Sequence, residues 1–186
     1  MTNEFENIIL IALEQEAPHM AKWSNVFFTG VGKVNAGITA GKLIEKYQPK
    51  TVWNFGTVGG VSVSSGLHQI KNFVQRDMIC CEMGFDLGQT PFEEDKVISF
   101  GDPIDDMCCS TGDNFVSDTS VLDIIADVVD MEAYAIAKAC KQAEVNFKCF
   151  KYVSDQADEN ASKDWEKTVA DGEQHYINTY LDVNNA

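Results

Sequence analysis

The sequence predicts an α/β fold built on buried strands, and three observations predict it. Asn7-Ile8-Ile9-Leu10-Ile11-Ala12, Thr51-Val52-Trp53-Asn54-Phe55 and Phe147-Lys148-Cys149-Phe150-Lys151-Tyr152-Val153 are short, mostly apolar and rich in β-branched or aromatic residues, as central strands are. Stretches with helical spacing lie between such runs, and the runs stop at acids or glycines. A chain of 186 residues, 45% of them hydrophobic, suits one domain over 1–186, since roughly 100 to 200 residues usually build a single core.

The first run leads into Leu13-Glu14-Gln15-Glu16-Ala17-Pro18. Pro18 suits the first turn of a helix, which puts Glu14 and Glu16 at a strand-to-helix turn. Glu16 is a candidate there for a strand-end crevice, although acids at such turns also simply favour a helix start. Asn25-Val26-Phe27-Phe28-Thr29 reads as a second strand. Gly30-Val31-Gly32 then turns the chain into a helix whose apolar positions Val34, Ile38, Gly41 and Ile44 keep helical spacing and which stops before Pro49. Gly-x-Gly-Lys at 30–33 is weak evidence for phosphate binding, because it lacks the longer Walker spacing and a following Ser or Thr.

After the third run, Gly56-Thr57-Val58-Gly59-Gly60 reads as a strand end whose glycines turn the chain or admit a ligand close to backbone. His68 to Val74 reads as one less buried strand. Arg76 to Glu94 is loop-like, with Met83, Phe85, Pro91 and Phe92 on an apolar excursion that suits a partner surface or a satellite core. Val97-Ile98-Ser99-Phe100 is a short extended piece, and a further one runs through Cys108 and Cys109 to Gly112-Asp113-Asn114-Phe115-Val116. Phe115 is a core aromatic or a stacking platform for a flat ligand. Val128 to Glu132 reads as a strand that stops at an acid, followed by a helix over Ala133 to Gln142. The last strand reaches Ser154-Asp155, and a terminal helix of about Ser162 to Leu181 carries Trp165, Val169, Gly172, Tyr176 and Tyr180 on one stripe, with Ser162 as its cap.

The formal net charge of −15 argues against nucleic-acid and anionic-membrane partners, both of which call for basic surfaces. The apolar runs are too short to span a bilayer and Met1-Thr2-Asn3-Glu4 lacks a basic leader, so a cytoplasmic location is expected. Six cysteines without a C-x-x-C pair and three scattered histidines, His19, His68 and His175, fit reduced thiols rather than a zinc site.

In an open parallel sheet, ligands sit beyond the carboxyl ends of the strands. Glu132 and Asp155 are therefore expected to project into one crevice from neighbouring strands, for acid/base work or for gripping hydroxyls. The plain alternative is that Glu132 opens a helix and Asp155 caps the next segment.

Six blocks occur here in one order: Ala12-Leu13-Glu14-Gln15-Glu16, Gly30-Val31-Gly32-Lys33-Val34-Asn35-Ala36, Gly56-Thr57-Val58-Gly59-Gly60, Gly112-Asp113-Asn114-Phe115, Met131-Glu132-Ala133 and Ser154-Asp155-x-Ala157-Asp158. In that order the chain resembles the nucleoside phosphorylase and nucleosidase superfamily, and within it most of all the 5′-methylthioadenosine/S-adenosylhomocysteine nucleosidases. The resemblance covers about Ile8 to Tyr180. It implies an α/β fold with a twisted, mixed central sheet flanked by helices, a homodimer, an adenine nucleoside as substrate, and neither metal nor organic cofactor. It gives Asp155 the role of general acid toward purine N7 and Glu16 that of the carboxylate orienting the attacking water. Met131 and Glu132 would hold the ribose, Phe115 would stack on adenine, and Val116 would bond the base edge through its backbone. Thr57 stands near the water site, Ser154 beside Asp155, Trp165 over the 5′ substituent, and Met83 and Pro91 where a partner subunit lends a pocket wall. A purine nucleoside phosphorylase and a nucleoside binder without turnover are the alternatives. The chain departs from the pattern in a short link from Met20 to Asn25, a compressed stretch from Asp118 to Val128, and Lys151 where an arginine is common.

Overall fold

The computed structural model describes residues 5–124 and 126–184. Met1 to Glu4 and the tail residues Asn185 and Ala186 lie outside the described residues. In chain order the elements are β1 (Asn7–Ile11), β2 (Val26–Phe28), α1 (Lys33–Tyr47), β3 (Thr51–Gly60), β4 (Leu67–Ile70), β5 (Asn72–Gln75), β6 (Ile98–Ser99), β7 (Cys108–Thr111), β8 (Val128–Asp130), α2 (Ala133–Gln142), β9 (Asn146–Asp155), α3 (Ala161–Thr168) and α4 (Glu173–Asn184). Together the strands make one mixed sheet with the path β2-β1-β3-β8-β7-β5-β6, while β9 lies between β3 and β4.

The centre is β3, which runs parallel to both β1 and β9. Its residues Val52, Trp53, Asn54, Phe55 and Gly56 are all buried, and burial of both faces explains why the run shows no polar alternation. One face of the sheet packs on α1 and α2 through Ile8, Leu10, Ala36, Ala40, Val52, Ile136 and Cys140. The other face gathers Ile9, Ile11, Trp53 and Phe55 against Tyr176 of α4. Trp53, Phe55 and Tyr176 form a continuous set of ring contacts, which adds to the area term because offset aromatic pairs attract.

Several expectations are corrected by this architecture. The strand β3 does not end at Phe55 but continues to Gly60. The expected strand over His68 to Val74 is two strands that break at Lys71, β4 pairing with β9 and β5 with β6 and β7. No α-helix starts at Pro18; two short 3-10 turns, Glu14–Glu16 and Met20–Lys22, carry the chain to β2. On α1 the buried residues are Ala36, Ala40 and Ile44, whereas Val34 and Ile38 are 69% and 52% exposed. The terminal helix is broken into α3 and α4, and Asn160 rather than Ser162 stands at the N-cap of α3. At the break, a Cβ on Gly172 would lie 2.4 Å from the Tyr176 hydroxyl oxygen, so this turn has room only for glycine.

Candidate active site

The sheet has a notch at its centre. On one edge of β3, β1 pairs with Thr51 to Asn54 and β8 joins antiparallel at Gly59 and Gly60. Between these contacts the edge has no strand partner, and a side chain takes the place of one. Glu16 Oε1 accepts the Thr57 backbone N–H at 2.8 Å and the Thr57 hydroxyl at 2.9 Å, and Oε2 accepts the Leu13 N–H at 2.9 Å. A carboxylate has about four lone-pair positions, so three bonds leave one acceptor position for a water. Trp165 Nε1 donates to Thr57 Oγ1 at 3.0 Å, which turns the hydroxyl proton toward Glu16. The turn bearing Glu16 is tied down behind it: buried Glu173 accepts the backbone N–H groups of His19 and Met20 at 2.7 and 2.8 Å.

Asp155 enters from the other edge of β3. The β3–β9 register shifts by one residue, so Val58 faces Val153 while Gly59 faces Asp155. A bulge of this kind bends the strand and re-aims a side chain. Asp155 Oδ1 accepts the Ala157 N–H at 2.9 Å, and Oδ2 accepts the Ser154 hydroxyl at 2.8 Å. Ala157 has φ of 50°, a left-handed conformation that costs a non-glycine residue about 1–2 kcal/mol. Burial raises the Asp155 carboxyl above its ordinary value, against the pull of the Ala157 and Ser154 bonds. A Cβ on Gly59 would stand 3.0 Å from Asp155 Oδ1, Ala157 Cβ and Val129 Cγ2. Glycine at 59 is therefore a condition of the close approach of strand and acid.

Glu132 stands at the N-cap of α2, and its Oε1 accepts the Gly32 N–H at 2.8 Å from the start of α1. Beneath it Asp130 is engaged on both oxygens, with Oδ1 on the Thr111 hydroxyl at 2.6 Å and Oδ2 on the Ala133 N–H at 2.8 Å and on Lys151 Nζ at 3.1 Å. Burial raises the carboxyl of Glu132, and the Asp130 charge raises it further, to about 7. Burial would also raise Asp130, but Lys151, Thr111 and Ala133 outweigh it and hold that carboxyl below its ordinary value. Lys151 is 2% exposed; burial disfavours its charge, yet Asp130, Cys149 and Glu132 keep it protonated. Lys151 Nζ and Glu16 Oε1 both lie 3.3 Å from the point where a Cβ on Gly56 would be, so one buried cation balances the acidic floor.

The three acids Glu16, Glu132 and Asp155 line one cavity of about 290 Å³. It takes in Glu16, Thr57, Phe115, Val116, Met131, Glu132, Ser154, Asp155 and Trp165. Met83 and Pro91 lie outside it; Met83 is 64% exposed, and on the same loop Phe85 meets the exposed Phe92 edge to face. Glu132 and Asp155 do meet, but not from neighbouring strands: β8 and β9 flank β3 from opposite sides, and Gly59 separates them. Phe115 is 50% exposed at the cavity mouth, not a core aromatic. Trp165 is committed through its indole N–H to Thr57, beside the Glu16 carboxylate.

Asp130, Arg76 and Asn114 also line the cavity, though none is among the residues expected there from the sequence. Asp130 ends a buried strand, which was a visible signal; Arg76 had none, since it opens a loop. Lys33 at the start of α1 is paired with Asp77, while its backbone N–H donates to Asp113 Oδ1 at 2.7 Å.

A family profile described as Phosphorylase superfamily matches residues 24–180. The chain belongs to the phosphorylase superfamily. Among superfamily relatives, a 5′-methylthioadenosine/S-adenosylhomocysteine nucleosidase of an Exiguobacterium species is 32% identical, over 72% of this chain and 68% of its own. In fold, the native futalosine hydrolase of Helicobacter pylori is similar with a TM-score of 0.84 and 18% identity, covering 96% of this chain and 97% of that one. The Neisseria meningitidis 5′-methylthioadenosine/S-adenosylhomocysteine nucleosidase, solved with methylthio-immucillin-A, gives a TM-score of 0.77 at 22% identity, covering 89% and 92%. The expected superfamily fold, a mixed central sheet flanked by helices, is thus the fold of this superfamily member.

Proposed function

We propose that this member of the superfamily hydrolyses the N-ribosidic bond of 5′-substituted adenine nucleosides, such as 5′-methylthioadenosine or S-adenosylhomocysteine, and releases adenine. The observation that carries the reading is the placement of Glu16 and Asp155 on opposite edges of β3, both opening into one cavity with Glu132 between the strand ends. Breaking the bond from C1′ to the base leaves positive charge on the sugar and sends an electron pair to the purine. Asp155, whose burial favours its protonated form, gives that proton to N7 of the leaving base. Glu16 holds water in its remaining acceptor position and takes its proton as the oxygen attacks C1′. Glu132 accepts hydrogen bonds from the ribose hydroxyls over Met131, and Phe115 stacks on the base with Val116 at its edge. Ser154 and Thr57 orient the two acids through the bonds described above.

Water is the acceptor in this reading. A bound phosphate dianion calls for arginines and free donors. Among the described residues Arg76 is the one basic side chain lining the cavity, and its guanidinium is already bonded to four backbone carbonyls. Incubation with a panel of adenine nucleosides, with and without phosphate, is expected to release adenine and ribose at a rate phosphate does not change. Ribose 1-phosphate would move the chain to the phosphorylases of the superfamily, and nucleoside binding without base release would make it a binder.

We also infer a homodimer. Met83, Phe92, Val31, Val34 and Ile38 are apolar and exposed, a composition that suits a buried subunit interface. Met83 and Pro91 would then complete the partner's pocket at the 5′ end. Sedimentation is expected to give a dimer at micromolar concentration; a fully active monomer rejects the lent wall. The free state of the six cysteines suits a reducing compartment, and we place the enzyme in the cytoplasm.

A further inference from the structure

We propose that Arg76 is a positioning residue that locks the base-stacking loop to the strand end carrying the ribose-binding acid. The roles of those two walls rest on the nucleosidase reading above; the clamp itself rests on geometry alone. Arg76 follows β5 and is 8% exposed. Its Nη1 donates to the carbonyls of Ser110 and, at 2.9 Å, Asp130; its Nη2 donates to those of Gly112 and Asn114 at 3.2 and 2.6 Å.

These four acceptors belong to two segments, each of which supplies residues that line the cavity. Ser110, Gly112 and Asn114 lead from β7 into Phe115 and Val116. Asp130 ends β8 and is followed by Met131 and Glu132. One planar guanidinium therefore bonds to both segments, adding its fixed fork to the pairing of β7 with β8 and to the Gly112 N–H bond onto the Asp130 carbonyl. Among the described residues no carboxylate is hydrogen-bonded to it: its Nη groups are bonded to carbonyls, Asp130, Asp77 and Asp113 act on its charge through space, and its Nε is buried without a partner.

Gly112 shows how tightly the loop lies on the clamp. A Cβ at 112 would stand 2.9 Å from Cγ, Nε and Cζ of Arg76. The backbone can bring its carbonyl onto Nη2 only because position 112 has no side chain. Lysine at 76 would keep the charge but offers its donors from one point, so it cannot hold carbonyls spread over two segments.

The test compares wild type with Arg76→Lys, Arg76→Met and Gly112→Ala by amide hydrogen exchange and by kinetics on 5′-methylthioadenosine. In Arg76→Lys, exchange in 112–116 and around 130–132 is expected to accelerate at least about tenfold while β1, β3 and β9 stay protected. KM is expected to rise about 10- to 100-fold, with kcat changed by less than about fivefold, because loosened walls lose substrate positioning before they lose the acid and base. Gly112→Ala should give the same split if the methionine variant fails to fold. Native exchange and native KM in folded Arg76→Lys and Gly112→Ala overturn the proposal. So does a uniform loss of protection with an unchanged KM, which marks a merely structural residue. If the wild type releases no base, the nucleosidase reading fails, and the exchange data alone still decide whether Arg76 is the clamp.

Discussion

Asp155→Asn is expected to lower kcat about 10²- to 10⁴-fold, the usual cost of removing a general acid, with little change in affinity for adenine nucleosides. The substitution keeps the size of the side chain and its acceptor toward Ala157, so the lost function is the proton. The pH dependence carries the same signature. Burial raises the Asp155 carboxyl, and the protonated form is the active one, so kcat should fall as pH rises through that raised value. In the asparagine variant this alkaline limb should disappear. The stability sign is favourable to the experiment. A carboxyl whose folded pKa lies above its unfolded one contributes stability below the unfolded pKa, and loses it as pH rises through the folded pKa. Asparagine cannot ionise, so the variant should be no less stable than wild type at neutral pH. Near-native turnover with adenine release would remove Asp155 from the role. Glu132, raised to about 7, adds a second marker: it grips hydroxyls best when ionised, so KM should fall as pH rises through that value.

Glu16→Gln is expected to cost about 10²- to 10⁴-fold in kcat through loss of the water-activating base, together with stability that Asp155→Asn retains. The structural reason lies in the count of donors. Both oxygens of Glu16 accept, Oε1 from the Thr57 N–H and hydroxyl and Oε2 from the Leu13 N–H. Glutamine can present only one oxygen, so its amide NH₂ must face a donor on one side. Leaving one such buried donor unmet costs about 1–3 kcal/mol. Thermal melting and steady-state kinetics on the same preparation separate the two effects. A variant that binds the nucleoside, melts lower and turns over at the native rate would leave Glu16 as a strut of β3 and assign the base elsewhere.

How much of this was legible in the chain follows from what each signal reports. Periodicity and apolar runs located β1, β2, α1, α2 and β9 nearly to the residue, because burial of a strand on both faces or of one helical stripe leaves a local trace. The acids at strand ends, Glu132 and Asp155, could be singled out for the same reason, and Glu16 because it follows a buried strand. The ordered blocks carried the superfamily fold with them. Helical spacing in α1 was also visible, but spacing cannot say which apolar stripe meets the sheet; the small residues Ala36 and Ala40 face inward, and Val34 and Ile38 face out.

What only the tertiary structure decided depends on contacts between segments far apart in sequence. Glycines at 56, 59 and 60 read locally as a turn or a close approach to a ligand, yet β3 continues through them, and the space of the missing side chains at 56 and 59 is filled by Glu16, Lys151, Asp155 and Ala157. The one-residue shift at Ser154 that points Asp155 at Gly59 exists only in the pairing of β9 with β3. The bonds from Arg76 to four carbonyls of other strands and loops leave no mark at position 76 itself. By itself the sequence determined the fold class, most of the sheet-and-helix elements, the superfamily and the acids available for chemistry. The tertiary structure decided that those acids share one cavity, because the gap between β1 and β8 along β3 is a property of strand pairing, and strand pairing is not written in any single strand.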